Sequence, residues 1–235
     1  MDETIEVVVV RVFIDERGTN GNELGIIRSS AVTEGREQPI ASALGFSETV
    51  FVDALASDAP GGGSASIRIF TPASELPFAG HPSVGTAWWL GHEGTPVTVL
   101  RERAGDVVAS YDHDTETTWI TARPEWTPSF AWLPLASPAE VDALDPFAFA
   151  DGQHYAYAWI DEEAGHLRSR MFAPAMGIVE DEATGAAAVA LTARLGRDLT
   201  IEQGEGSQLR TELVGDGTIR VGGYTVYDRT ISATL

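Results

Sequence analysis

Hydrophobic and polar positions alternate along most of this chain in short runs, the period of half-buried strands. Residues 5–14 (IEVVVVRVFI) carry the densest set of β-branched side chains, which suit a pleated, part-buried surface. A loop at 18–22 and a second strand at 25–28 follow. Runs at 47–52, 66–71, 96–101, 106–111 and 116–121 read as further strands, as do 154–160, 167–172, 199–203, 208–214 and 218–226. Asp216-Gly217 marks a hairpin turn between the last two. Residues 59–64 (APGGGS) read as a flexible hairpin loop. Residues 37–44 form a short helix with its stop at Gly45.

Two longer helices begin alike. One lies in residues 75–90 (ELPFAGHPSVGTAWWL), the other in 180–195 (EDEATGAAAVALTARL). Each stretch starts on an acid, Glu75 or Glu180, and places glycine five positions on, at Gly80 or Gly185. Each then runs into a small, apolar segment that reads as a buried helix, the second over 183–195. Polar residues gather at the mouth of each helix. The first-turn N–H groups there have no partner within the helix and carry a partial positive charge, which suits a carboxylate. Pro82 fits the first helical position, leaving His81 as the cap residue. A lone histidine is ordinarily structural, but this position favours its neutral form. Two such mouths suggest two similar halves facing one small anion. Without the regular strand–helix alternation of a doubly wound sheet, the pattern predicts an α+β protein, mostly strands, with one central helix per half.

Prolines recur through 123–138, with Trp126, Phe130 and Trp132 between them. These aromatics favour burial, so the segment reads as the crossing between halves. Ser137-Pro138-Ala139-Glu140 is a helix start, with serine as cap and glutamate at the third position.

Composition narrows the chemistry. The 235 residues include no cysteine, which removes thiol nucleophiles, thiolate metal sites and disulfides. All 15 basic residues are arginine, so lysine Schiff-base chemistry is excluded too. The net charge of −20 argues against nucleic acid and anionic membranes as partners. No apolar run is long enough for a membrane-spanning helix, and the acidic start MDETIE lacks the basic opening of a secretory signal, so a cytoplasmic location is expected. Five scattered histidines show no metal-binding spacing. From spacing alone, Glu48 reads as a solvent-facing strand residue and Asn22 as a turn residue.

Four collinear motifs change that reading. Ser47-Glu48-Thr49-Val50-Phe51-Val52, then Arg68-Ile69-Phe70-Thr71-Pro72 leading into Glu75-Leu76-Pro77-Phe78-Ala79-Gly80-His81-Pro82, resemble the phenazine-biosynthesis PhzF-like proteins. So do Arg170-Met171-Phe172-Ala173-Pro174 with Gly177, and Glu180-Asp181-Glu182-Ala183-Thr184-Gly185. Gly21-Asn22-Glu23 is similar to that family's Gly-Asn-Pro segment, with Glu23 in place of proline.

The resemblance implies a diaminopimelate-epimerase-like fold, with two pseudo-symmetric halves, each a mixed sheet curled around a central helix. The halves would be residues 1–122 plus a last strand at about 226–235, and residues 123–225, with the active site in the cleft between them. It further implies a cofactor-independent isomerase that moves a proton on a small carboxylated ring or an amino-acid-like metabolite, with no metal and in a homodimer. The characterised family member acts on trans-2,3-dihydro-3-hydroxyanthranilate. Carried over by motif, Glu48 is the acid/base, with His81 and Asp181 lining the same site; Asn22, Gly80, Gly185 and Ala186 fall in substrate binding. Racemases of this fold use two cysteines, which this chain lacks, so the carboxylate branch is favoured. Glu48 beside Val50, Phe51 and Val52 is expected to have its pKa raised by desolvation. Ala186 departs from the family's usual serine and removes one hydroxyl donor. That loss motivates the alternative of a small-anion-binding protein without turnover.

Overall fold

The computed structural model describes residues 3–56 and 62–234. Strand β1 (Thr4–Ile14) pairs antiparallel with β2 (Asn22–Arg28). The chain crosses through α1 (Glu37–Leu44) to β3 (Glu48–Ala56), which lies parallel to β2. Antiparallel β4 (Gly63–Phe70) and the two-residue β5 (Glu75–Leu76) lead into α2 (Gly80–His92). That helix carries the chain to β6 (Val97–Glu102), parallel to β4, and the antiparallel strands β7 (Gly105–Asp112) and β8 (Thr117–Ala122) follow.

The succession then repeats. β9 (Ala131–Pro134), α3 (Pro138–Asp142) and the parallel β10 (His154–Asp161) correspond to β2, α1 and β3. β11 (His166–Ala173), β12 (Ile178–Asp181), α4 (Gly185–Leu195) and β13 (Leu199–Gln203) correspond to β4, β5, α2 and β6. β14 (Ser207–Leu213) and β15 (Ile219–Thr234) complete the second round. Because β15 pairs with β1 and β8 as well as β14, it belongs to both rounds. Its pairing with β1 closes β1, β2, β3, β4, β6, β7, β8 and β15 into a barrel around α2.

Both long helices are apolar nearly all round, and both are buried accordingly. In α2 every residue from Gly80 to Ala87 is buried, with Trp89 and Leu90; in α4 Gly185–Val189, Leu191 and Thr192 are. Small side chains at Ser83, Gly85, Thr86 and Ala87 let the barrel wall come close to α2; a Cβ on Gly85 would lie 2.6 Å from Val12 and 2.7 Å from Leu24.

The acids that open the two repeats now have a physical role. Arg68 on β4 makes a bidentate pair with Glu75 (2.8 and 3.1 Å) and lies over Phe70. Arg170 on β11 makes the same pair with Glu180 (2.7 Å at both nitrogens) and lies over Phe172. A bidentate pair fixes geometry more than it adds stability. Here each one ties the strand to the segment that enters a helix mouth.

Several expectations are corrected. The first helix starts at Gly80 with extended Ala79 as its cap, so His81 is its second residue and Pro82 its third. Proline is tolerated there because the whole first turn lacks intrahelical N–H partners. The second helix starts at Gly185 after Thr184. Glu48 is buried, only 7% exposed, and not solvent-facing. The strand expected to end at 226 runs unbroken to Thr234, because pairing with β1 carries it through the polar Asp228 and Arg229. Phe130 is buried as expected, whereas Trp126 and Trp132 are half-buried against the core. Of the loop expected at 59–64, residues 59–61 lie outside the described residues, and Gly63 and Ser64 already belong to β4. The cap at Ser137 is as expected, its side chain accepting from Glu140 N–H.

Candidate active site

The mouths of α2 and α4 open into one cavity of about 320 Å³. Its wall includes Glu48 from the start of β3, Gly80 and His81 from the first turn of α2, and Asp181 from the end of β12. Gly185 and Ala186 from the first turn of α4 complete that side, and Phe78, Trp126, Phe130, Met171 and Met176 give an apolar body. Neither helix has a side-chain cap at its N-terminus. Their first-turn N–H groups therefore have no side-chain acceptor among the described residues, and Pro82 has no N–H at all.

The three polar side chains are packed away from bulk water: His81 is 2% exposed, Asp181 5%. His81 Nδ1 lies 3.1 Å from Glu48 Oε2. That oxygen lacks an aligned hydrogen-bond partner among the described residues, so the two groups meet by close approach. His81 Nε2 also has no partner there. Burial acts to raise the Glu48 carboxyl, but the His81 charge and contact, helped by Ser47, outweigh it and the net shift is downward. This reverses the rise expected from desolvation alone, because the sequence did not place His81 against Glu48. Asp181 moves the other way. Burial and then the Glu48 charge push it up to about 7, against His81, Thr184 and Asn22.

Asn22 stands behind Asp181 and does not reach the cavity wall. Its amide donates to Asp181 Oδ1 (2.6 Å) and to the Ala183 carbonyl (3.2 Å), and accepts from Ser47 Oγ (3.1 Å). A contact between Asn22 and bound substrate would therefore run through Asp181. Ala186 occupies in α4 the place His81 holds in α2, directly after the helix-opening glycine.

Gln153, also in the cavity wall, lies outside every motif. In the β3–β4 pair Thr49 lies opposite Phe70, and in the β10–β11 pair His154 lies opposite Phe172. The repeat thus makes Gln153 the counterpart of Glu48, and its side chain lines the same cavity. Aligning Arg68-Ile69-Phe70 with Arg170-Met171-Phe172 does not locate it, because Glu48 lies 20 positions before Arg68 and Gln153 only 17 before Arg170; the strand pairing does. Among the described residues, no group of three or more His, Asp or Glu could hold a metal ion.

A sequence profile of the phenazine biosynthesis-like proteins (PhzC-PhzF) matches residues 10–132 and 126–222. The chain belongs to this family. It is 34% identical over 233 aligned positions to a trans-2,3-dihydro-3-hydroxyanthranilate isomerase from Pseudomonas aeruginosa, covering 84% of this chain and 82% of the relative. The fold is that of a PhzF-family protein from Enterococcus faecalis, with a TM-score of 0.76 at 21% identity over 99% of this chain and 100% of that one. A probable proline racemase from Agrobacterium radiobacter shares it more distantly, with a TM-score of 0.62 at 12% identity over 97% and 92%. The epimerase-like α+β fold expected from the motifs is the one observed. No helix among the described residues is long and apolar enough to cross a membrane.

Proposed function

We propose that this PhzF-family isomerase moves a proton within a small carboxylated ring or amino-acid-like metabolite, with Glu48 as the acid–base group and no cofactor. The observation that carries the reading is the convergence of Glu48, His81 and Asp181 on one largely apolar cavity at two uncapped helix mouths. Glu48, its carboxyl held down by His81, is a carboxylate at neutral pH and can take a proton from a carbon beside an unsaturated system. The electron pair left behind enters the conjugated system. Glu48, now protonated, returns the proton to a neighbouring carbon, so the reaction balances without an oxidant or reductant. Positioned acid–base catalysis of this kind is worth about 10²–10⁴-fold.

The remaining groups support that step. First-turn N–H groups around Gly80 and Gly185 hold the substrate carboxylate and the negative charge that develops. His81 steadies Glu48 in either protonation state. Asp181, at about 7, is balanced to exchange a proton with a substrate amine or hydroxyl, and Asn22 orients it. The apolar body of the cavity excludes water and takes the ring. In this reading residues 1–122 with the last strand, and 123–225, are the two halves that supply one mouth each.

The direct test is to incubate the protein with trans-2,3-dihydro-3-hydroxyanthranilate and related cyclic carboxylates, following both turnover and binding heat. Conversion of any one supports the isomerase reading. Tight binding with no conversion across the set would favour the small-anion-binding alternative, which the alanine at 186 motivates.

A further inference from the structure

Behind Asp181, on the side away from the cavity, lies a buried hydrogen-bonded chain. Gln203, at the end of β13, is fully buried. Its Nε2 donates to the Asp181 carbonyl (2.9 Å) and to Thr184 Oγ1 (2.8 Å). Its Oε1 accepts from the Thr184 N–H (3.2 Å) and from the Tyr155 hydroxyl (3.1 Å). Tyr155 is itself fully buried and also reaches Ser169 Oγ at 2.9 Å.

This arrangement admits one orientation of the Gln203 amide. The Asp181 carbonyl can only accept and the Thr184 N–H can only donate, so a flipped amide would set acceptor against acceptor and donor against donor. With Nε2 fixed as donor, Thr184 Oγ1 receives a hydrogen from Gln203. Its own single hydrogen is then left for Asp181 Oδ2, 2.5 Å away. Thr184 is the cap residue of α4 yet makes no capping bond. Its hydroxyl serves Asp181, and the helix mouth stays bare.

We infer that Gln203 is a positioning residue of this site, holding the Thr184 hydroxyl so that it always donates to the Asp181 carboxyl. The inference rests on the acid–base reading of Asp181, and its test separates the two. The charged groups whose fields reach Asp181 are Glu48 on β3 and His81 on α2, with Tyr155 on β10 standing on the far side. Asn22 on β2 and Thr184 at the start of α4 present neutral donors. Two donated hydrogen bonds therefore oppose the rise that burial and Glu48 impose. A hydroxyl free to turn would leave Asp181 higher still.

The experiment is an NMR titration of the full chain carrying ¹³C-labelled aspartate, over about pH 5 to 9. The Asp181 carboxyl signal is identified by its loss in Asp181→Asn. Wild type is compared with Thr184→Val, Thr184→Ser and Gln203→Met, the last close in volume. The expected result is an Asp181 midpoint raised by about one unit in Thr184→Val and Gln203→Met, the size of one hydrogen bond to a charged group. Thr184→Ser restores the wild-type value. An unchanged midpoint in Gln203→Met, or no rescue by serine, overturns the inference. Should Gln203→Met fail to fold, Tyr155→Phe loosens Gln203 from behind, and a smaller upward shift is expected; its absence counts against the inference. If the midpoints move but the pH profile of turnover does not, Gln203 stands as assigned and the catalytic reading of Asp181 falls.

Discussion

Gly80 and Gly185, the first residues of the two central helices, meet face to face. A Cβ on Gly80 would lie 2.8 Å from the Gly185 Cα and carbonyl carbon, and one on Gly185 would lie 2.9 Å from the Gly80 Cα and the His81 nitrogen. Both encounters are with backbone, so no side chain can turn aside. Two dipole ends of the same sign are thus held against each other, an arrangement that suits the anion site proposed between them.

Gly80→Ala and Gly185→Ala are each expected to force the mouths apart. Overpacking against backbone costs about 1–3 kcal/mol, and each kcal/mol lowers the melting temperature of a chain this size by about 2–4 °C. The kcat/KM should fall tenfold or more, well beyond what the stability loss explains. Thermal melts and steady-state kinetics on the same samples check both.

Gln153 lines the cavity from the position that mirrors Glu48. Gln153→Ala is expected to raise KM several-fold with little change in kcat, the signature of lost ground-state contact. Gln153→Glu should bind a carboxylated substrate more weakly still, since it sets a second charge opposite it. A fall in kcat at constant KM would instead place Gln153 among the reacting groups.

Beneath α2, the Glu102 carboxyl is pushed up to about 8 by burial. Ser83 Oγ lies 2.6 Å from it and 2.7 Å from the Ala79 carbonyl. One serine hydrogen cannot serve two acceptors, so the pair is satisfied when Glu102 carries a proton and donates it to Ser83. The folded protein then holds a proton that the unfolded chain releases between about pH 4.5 and 8, so stability declines as pH rises through that window. Glu102→Gln should flatten that decline and melt a few degrees above wild type at about pH 8. Asp181, raised to about 7, has the same sign and leaves a residual slope below that pH. A variant that melts lower than wild type at pH 8 contradicts this account.

Much of the architecture was legible because its constraints are local. The close approach at Gly80 and Gly185 excludes every other residue type, so the repeat shows as a spacing. Strand runs such as 199–203 and 106–111 stand out by alternation alone. What was hidden depends on distant partners. β9 has only four residues, two of them Trp132 and Pro134, and exists through parallel pairing with β10. The downward shift of Glu48 depends on His81, 33 positions away in sequence and 3.1 Å in space. Gln153 and Gln203 carry no motif, and the repeat that relates Gln153 to Glu48 is blurred because Gln153 lies three positions closer to Arg170 than Glu48 lies to Arg68.

The central claim is that Glu48 moves a carbon-bound proton. Its most direct measurement is solvent deuterium incorporation, by mass spectrometry, into trans-2,3-dihydro-3-hydroxyanthranilate and a set of cyclic and linear amino acids, with wild type beside Glu48→Gln. The account predicts deuterium in at least one compound with wild type and a rate about 10²–10⁴-fold lower with Glu48→Gln. Exchange at the wild-type rate in Glu48→Gln would contradict it.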